Sequence, residues 1–453
     1  MYLRLSVFIV ILMALAGIAR GQDSTAAHGQ DTSARLPAHW DLQTCLDYAK
    51  KNNVQLNMLR LNVQTAQQNY LQSRASRQPT LTGTVPLTYT HSNKSVSGVI
   101  GGFQTQSSFS QSFTLSSGMT IYNGGTINND IRQKNLEIES ANLSVLQTIN
   151  DITLQITQAY LAILLARENV VYIEDLVHTS AAQVDQGKKE YEAGSIARNA
   201  YIELQAQLAT DKYNLVTAQS AVRQNKVTLK QLLQLPFQDS FDIVSPDTII
   251  SKEAVTGLDS AVAIAIRTRP EIKNARLGID ISRYDLAKAK AGYLPILSAS
   301  AELSTGYSNN VSDDYTRQLD NNFFQQVGLN LSIPIFTRRT VKTQVEEAKI
   351  EVANSKLSLL GTQTTLALDI EQAYINVVNA QAQYDAAVEE LRANQETFRI
   401  AAEELKVGAS DIVDYLQQKT LYTQAFQAYI QAKYNAALSI RIYDFYMGIA
   451  VKL

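Results

Sequence analysis

From Arg339 to Leu405 the chain runs 67 residues without a proline and with one glycine, Gly361. Within it Val345, Val352, Leu359, Leu366, Ala373, Ala380 and Ala387 recur every seven residues. Ile370, Val377, Tyr384, Leu391, Phe398 and Leu405 form a second row of the same period, three or four residues from the first. Such spacings lie side by side on one helix face. An unbroken seven-residue period belongs to helices wound against neighbours in a left-handed coil. At 1.5 Å per residue this helix reaches roughly 100 Å, several times the length of an ordinary globular helix. The fold that holds it must be elongated.

The stretch has an earlier counterpart. Ile121 matches Ile335, Tyr160 matches Tyr374, Gly194 matches Gly408 and Tyr201 matches Tyr415, each 214 residues apart. Pro79 matches Pro295 at 216. A register held over this length marks an internal duplication. Both copies read in the same order. A helical pattern stops at proline, and the period then changes to two. Leu81, Gly83, Val85, Leu87 and Tyr89 alternate with threonines, and Phe109, Phe113, Leu115, Met119 and Ile121 with serines and threonines. In the second copy Leu297, Ala299, Ala301 and Leu303, then Val327, Leu329, Leu331, Ile333 and Ile335, alternate with polar or small residues. Alternation makes strands with one apolar and one polar face. Ser92–Ser108, rich in glycine and serine, and the polar run Tyr307–Asn322 read as loops. A long helix follows, then a glycine of the kind that ends helices in the left-handed conformation, then a return helix.

The expected boundaries follow from this order. Residues 1–21 form a signal peptide, with Arg4 before a short apolar core, and 22–38 a flexible leader. The first structural repeat covers 39–235, with strands 79–91 and 109–122, long helix 125–191 and return helix 196–235. A connecting segment, 236–258, precedes the second repeat, 259–453. That repeat has a short helical region with Pro270 inside, strands 295–307 and 323–336, long helix 339–405 and return helix 410–449. A return helix and the short helical piece together nearly match a long helix, so they are expected to stack end to end beside it.

Composition narrows the class. A net charge of −2 offers nothing to nucleic acid. No internal segment approaches twenty uninterrupted apolar residues, so no helical membrane span is expected after the N-terminus. The single cysteine, Cys45, rules out a disulfide framework within the chain. His28, His39, His91 and His178 lack metal-ligand spacing, and no phosphate loop or nucleophile motif occurs. Neither an enzyme nor a cofactor is expected. The strands are about ten residues, the length that crosses a bilayer with tilt. Four strands cannot close a barrel, since membrane barrels in one piece have at least eight, and open edges are not tolerated in lipid. Several chains must share one barrel; three would give twelve strands and twelve helical columns around a wet lumen. The alternatives are a soluble sandwich, which leaves the long helices unexplained, and a non-conducting envelope scaffold.

Three stretches then carry a family resemblance: Ile333–Phe336 (IPIF), its partner Thr120–Gly125 (TIYNGG), and Val407–Leu416 (VGASDIVDYL). From Trp40 to Gly448 the chain resembles the TolC-type outer membrane efflux and secretion channels. The resemblance implies a mixed fold, a transmembrane β-barrel on a long α-helical barrel, two tandem repeats per chain and a homotrimer. It implies an outer membrane location with a helical tunnel in the periplasm. The partners it implies are a periplasmic adaptor, an inner membrane pump and outer membrane lipid. The function it implies is a passive exit duct for small-molecule efflux, or else the outer component of a type I protein secretion system.

The candidate site is the pair of helix reversals. Asp411 and Asp414, three apart at a helix start, would each form a ring of three carboxylates in a trimer and favour cations. The plainer reading is that acidic residues suit a helix N-terminus. By the resemblance Asp414 matches the family's inner pore aspartate. Its second aspartate falls on Gln417 and a locking arginine on Ser410, two departures from the pattern. The turns Gly194–Ser195 and Gly408–Ala409 resemble adaptor contact points. Tyr89, Phe109, Phe113, Tyr307, Phe323 and Phe324 lie near strand ends, where aromatic residues line a membrane boundary.

Overall fold

The computed structural model describes residues 40–95, 103–236, 241–246, 249 and 252–450. The expected signal peptide and leader, and part of the connecting segment, lie outside them. Two sets of elements succeed one another. The first holds α1 (Leu42–Asn52), α2 (Val54–Ala75), β1 (Thr80–Thr84), β2 (Leu87–Ser95), β3 (Phe103–Asn123), α3 (Thr126–Glu192) and α4 (Arg198–Leu233). The second holds α5 (Leu258–Thr268), α6 (Pro270–Ala291), β4 (Ile296–Ser308), α7 (Tyr315–Asn321), β5 (Phe324–Ser332), α8 (Thr340–Lys406) and α9 (Ile412–Tyr446). Counterparts agree in length: 11 residues for α1 and α5, 22 for α2 and α6, 67 for α3 and α8, and 36 and 35 for α4 and α9.

The helices pair as the seven-residue rows require. All thirteen residues of the two rows on α8 are buried or half-buried. They face α9 toward the tip and α5 and α6 toward the strands, around Leu366, Ile370, Ala373 and Val377. α3 is held likewise by α4 and α2, and α6 touches both long helices. The shorter helices stack end to end. The C-terminus of α4 meets α2 where Gln234 Oε1 accepts from the Val54 amide at 2.8 Å. At the matching joint in the second repeat, the Arg269 guanidinium lies over the Phe445 and Tyr446 rings of α9, 4.8 and 5.3 Å from their centroids. Arg269 sits between α5 and α6 in extended conformation, because Pro270 at the first position of α6 disfavours a helical predecessor. The region 258–292 is therefore two helices. Midway along α3, Tyr160 donates to the carbonyls of Trp40 and Val244 at 3.3 and 2.5 Å. It pins the chain entry and the connecting segment to the long helix. α3 is also, by length and composition, apolar enough to cross a membrane, but 56% of the qualifying window is buried inside the protein.

The strands form one antiparallel sheet in the order β1–β3–β4–β5, with β2 following β1 on the same side of β3. Val85 and Pro86 separate β1 from β2; proline has no N–H to give to a ladder. Four strands in five pieces result, and both edges of the sheet are unpaired. Register assigns the faces. Leu81, Ser117, Ala301 and Val327 share one row; Thr82, Ser116, Glu302 and Gln326 share the next. One face carries Leu115, Leu303, Met119, Ala299, Leu329 and Leu331, and the other is serine, threonine, asparagine and glutamine almost throughout.

Three expectations need correction. The second strand starts at Phe103, not 109, and the first runs to Ser95, so the expected loop 92–108 is partly a β2–β3 ribbon. In sequence Ser92–Ser95 and Gln104–Ser108 are all polar and leave no apolar alternation to read. The run Tyr307–Asn322 contains α7, held by Gln318, which accepts from the Ser308 amide at 2.9 Å and donates to the Val311 and Asp313 carbonyls at 3.2 and 2.7 Å. The last strand stops at Ser332, not 336, ahead of Pro334, and leaves Ile335 and Phe336 94% and 84% exposed.

Candidate functional site: the helix reversals

The two reversals are built alike. Gly194 and Gly408 sit at φ +77° and +72°, the left-handed region that other residues enter at a cost. The Ser195 amide donates to the Glu190 carbonyl at 2.8 Å, and the Ala409 amide to the Glu404 carbonyl at 2.9 Å. These bonds satisfy carbonyls that a helix end leaves open. Nothing lies within 4 Å of where a Cβ would be at either glycine, so backbone conformation alone selects glycine there. Gly194, Ser195, Gly408 and Ala409 are all exposed. Across the first reversal Tyr191 and Tyr201 stack, centroids 5.7 Å apart.

Asp411 is the N-cap of α9; its Oδ1 accepts from the Asp414 amide at 2.9 Å. That bond accounts for Asp411 without any pore. Asp414 lies in the first turn with its side chain exposed, and Gln417, one turn on, is exposed on a neighbouring face. Between them Tyr415 turns inward and its hydroxyl accepts from Gln183 of α3. This contact sets both reversals at the same end of the molecule.

One turn further, α9 carries a group that the sequence reading missed. Lys419 is 1% exposed, yet its Nζ donates to Asp211 Oδ2 of α4 at 2.9 Å and to Ser180 Oγ of α3 at 2.5 Å. Ser180 also donates to Asp211 Oδ2, and Gln207 Nε2 to Asp211 Oδ1 at 2.8 Å. A charge buried this deeply must be paired and hydrogen-bonded, and this one meets a carboxylate and a hydroxyl. Beside it Tyr172 stacks on Phe426, centroids 3.8 Å apart, and Phe398 stacks on Tyr422 at 5.3 Å. Burial pushes the Tyr172 hydroxyl up to about 12. The α3–α4 hairpin is thus fixed to α9 by a buried ion pair capped with aromatic rings. A signal was present: Leu204, Asp211 and Ala218 fall every seven residues on a buried seam, and one of them is charged.

Cys45 of α1 is also buried, and its thiol is driven up to about 12 by burial and, secondarily, by the Asp41 charge. No group of three or more metal-ligating side chains occurs among the described residues.

The sequence profile of the outer membrane efflux proteins matches twice, over residues 45–234 and 262–441, once per repeat. The chain belongs to the outer membrane efflux protein family. Among efflux and export relatives, Toxin and drug export protein A of Aggregatibacter actinomycetemcomitans is 22% identical over 299 residues, 66% of this chain and 62% of that protein. Outer membrane protein TolC of Escherichia coli is 24% identical over 306 residues, 63% of this chain and 61% of that protein. The chain thus matches 62% and 61% of the length of these two relatives. The solved structure of CusC, described with the conformational changes that accompany folding and transmembrane channel formation, superposes with a TM-score of 0.76 at 18% identity, covering 92% of this chain and 94% of that one. The chain therefore has the fold of an outer membrane channel of this family, two repeats of strands and long helices.

Proposed function

We propose that three copies of this chain close a twelve-stranded barrel over a helical tunnel and form a passive exit duct. The observation that carries this is the sheet. It has one apolar and one polar face and two unpaired edges, a combination lipid does not tolerate unless other chains complete it. A second observation supports it. On α8, Ile350, Leu357, Leu368, Ile375 and Val378 make an apolar stripe away from the seven-residue seam, and all are 43–65% exposed. Flanking copies would cover that stripe and extend the wall. A duct has no motor, so transport would draw on an inner membrane pump joined through a periplasmic adaptor at the Gly194 and Gly408 turns.

Asp414, exposed at the tip, would line the constriction as a ring of three carboxylates, with Gln417 one turn above. Asp411 would contribute mainly as the cap. Small-molecule efflux is the leading substrate class, and protein secretion the second; the name of the first relative covers both toxin and drug export.

Planar-bilayer recording of the purified protein tests the duct: discrete conducting steps are expected, and a folded trimer that never conducts overturns it. Asp414→Ala should lower cation preference, read as a smaller reversal potential in a salt gradient. An unchanged potential removes Asp414 from the constriction.

A further inference from the structure

We infer that Glu302, on the polar face of the sheet, is a second determinant of ion selectivity, acting inside the barrel and independently of the tip. The inference rests on the barrel reading above. Among the described side chains of the sheet, Glu302 is the only Asp, Glu, Lys or Arg. It lies midway along β4, six residues from either end of the strand. Its row crosses the whole sheet as Thr82, Ser116, Glu302 and Gln326. Its neighbours along β4 on that face are Ser300 and Ser304. None of these can neutralise a carboxylate. Glu302 makes no hydrogen bond or ion pair among the described residues.

An unpaired carboxylate at half the height of a membrane-crossing strand must meet water. The face that carries it is therefore the lumen wall, and threefold closure sets three carboxylates at one level. Rings of carboxylates favour cations. In a barrel of twelve strands the carboxylates stand far apart, so their reach is set by screening. The screening length is about 30 Å at 0.01 M salt and about 3 Å at 1 M. A ring of this kind selects in dilute salt and falls silent in concentrated salt. Carboxylates at a narrow constriction keep their effect in both.

The test is the cation-to-anion permeability ratio of reconstituted trimers, measured in dilute and in molar potassium chloride gradients. Glu302→Gln should lower the ratio roughly twofold in dilute salt, and Glu302→Lys further, with little change at 1 M. Glu302→Lys channels that conduct as the wild type does and keep its ratio in dilute salt overturn the inference. A wild-type trimer that never conducts overturns the duct reading instead, and is a distinct result. A second measurement needs no conductance. Cys45 is buried, so Glu302→Cys supplies the one reactive thiol of each folded chain, three per trimer. Labelling by a water-soluble, membrane-impermeant thiol reagent is expected. A folded Glu302→Cys trimer that resists the reagent until it is denatured removes residue 302 from the lumen.

Discussion

Lys419 shows what one side chain can ask of three helices. Its ammonium is satisfied only while α3, α4 and α9 keep their places, because Ser180 and Asp211 lie 239 and 208 residues away in sequence. Lys419→Met leaves the Asp211 carboxylate buried without a cation, which costs about 3–5 kcal/mol. Joint replacement, Lys419→Met with Asp211→Leu, removes both charges and should recover most of that loss. Denaturant unfolding of the helical part, followed by circular dichroism, reads both variants. A single variant within about 1 kcal/mol of wild type would show that water reaches the pair. The pairing could not be found from periodicity alone. Asp211 stands out as a charge on a seven-residue seam, but which helix answers it is a property of tertiary packing. Asp411 and Asp414 were legible as acidic residues at a helix start. The capping bond to the Asp414 amide needed the backbone.

The turn from strand to long helix separates the two repeats at the scale of elements. After β3 it is made by Gly124 and Gly125, at φ +65° and +86°. After β5 the same register positions hold Arg338 and Arg339, at φ +45° and +70°. Left-handed backbone costs a residue with a side chain about 1–2 kcal/mol. The first copy has less room for the exchange, because a Cβ on Gly124 would stand 3.0 Å from the Ala291 Cβ, the Ala291 carbonyl oxygen and the Leu294 Cβ, which would have to give way. Gly124→Ala is therefore expected to destabilise by about 1–3 kcal/mol. The double variant Arg338→Gly with Arg339→Gly should stay within about 1 kcal/mol of wild type. Thermal unfolding of the two side by side decides it, and equal losses would refute the asymmetry. The paired strands, the 67-residue helices and their glycine ends were plain in the sequence, because period and punctuation are local. The β2–β3 ribbon and α7 were not. Polar residues on both faces hide a strand, and α7 owes its place to Gln318 bonds with the surrounding loop.

The whole molecule is legible as a duplication, and the proposed trimer is what would complete it. Its sheet has two open edges and α8 has an uncovered apolar stripe, so in the proposed trimer the surface between copies would be written only as exposure. Replacing Leu357 and Leu368, 65% and 59% exposed, with glutamate should leave each chain's helicity intact and break the assembly. Sizing in detergent reads the outcome; an unchanged trimer would place the copies' contact elsewhere. Equality of length has a consequence of its own. α3 and α8 both have 67 residues, and the helices stacked beside them match to within one. An insertion in one long helix alone would shift its seam against columns that had not changed. A seam keeps its register through whole periods of seven, while insertions of three or four residues locally overwind or unwind it. Reach is therefore altered with the seam undisturbed by paired edits of whole periods, one in each half of the gene. The two halves constrain each other's drift, and in the proposed duct the span of the tunnel would be inherited as a fixed gauge to which any protein meeting it from the far side of the envelope would have to be cut.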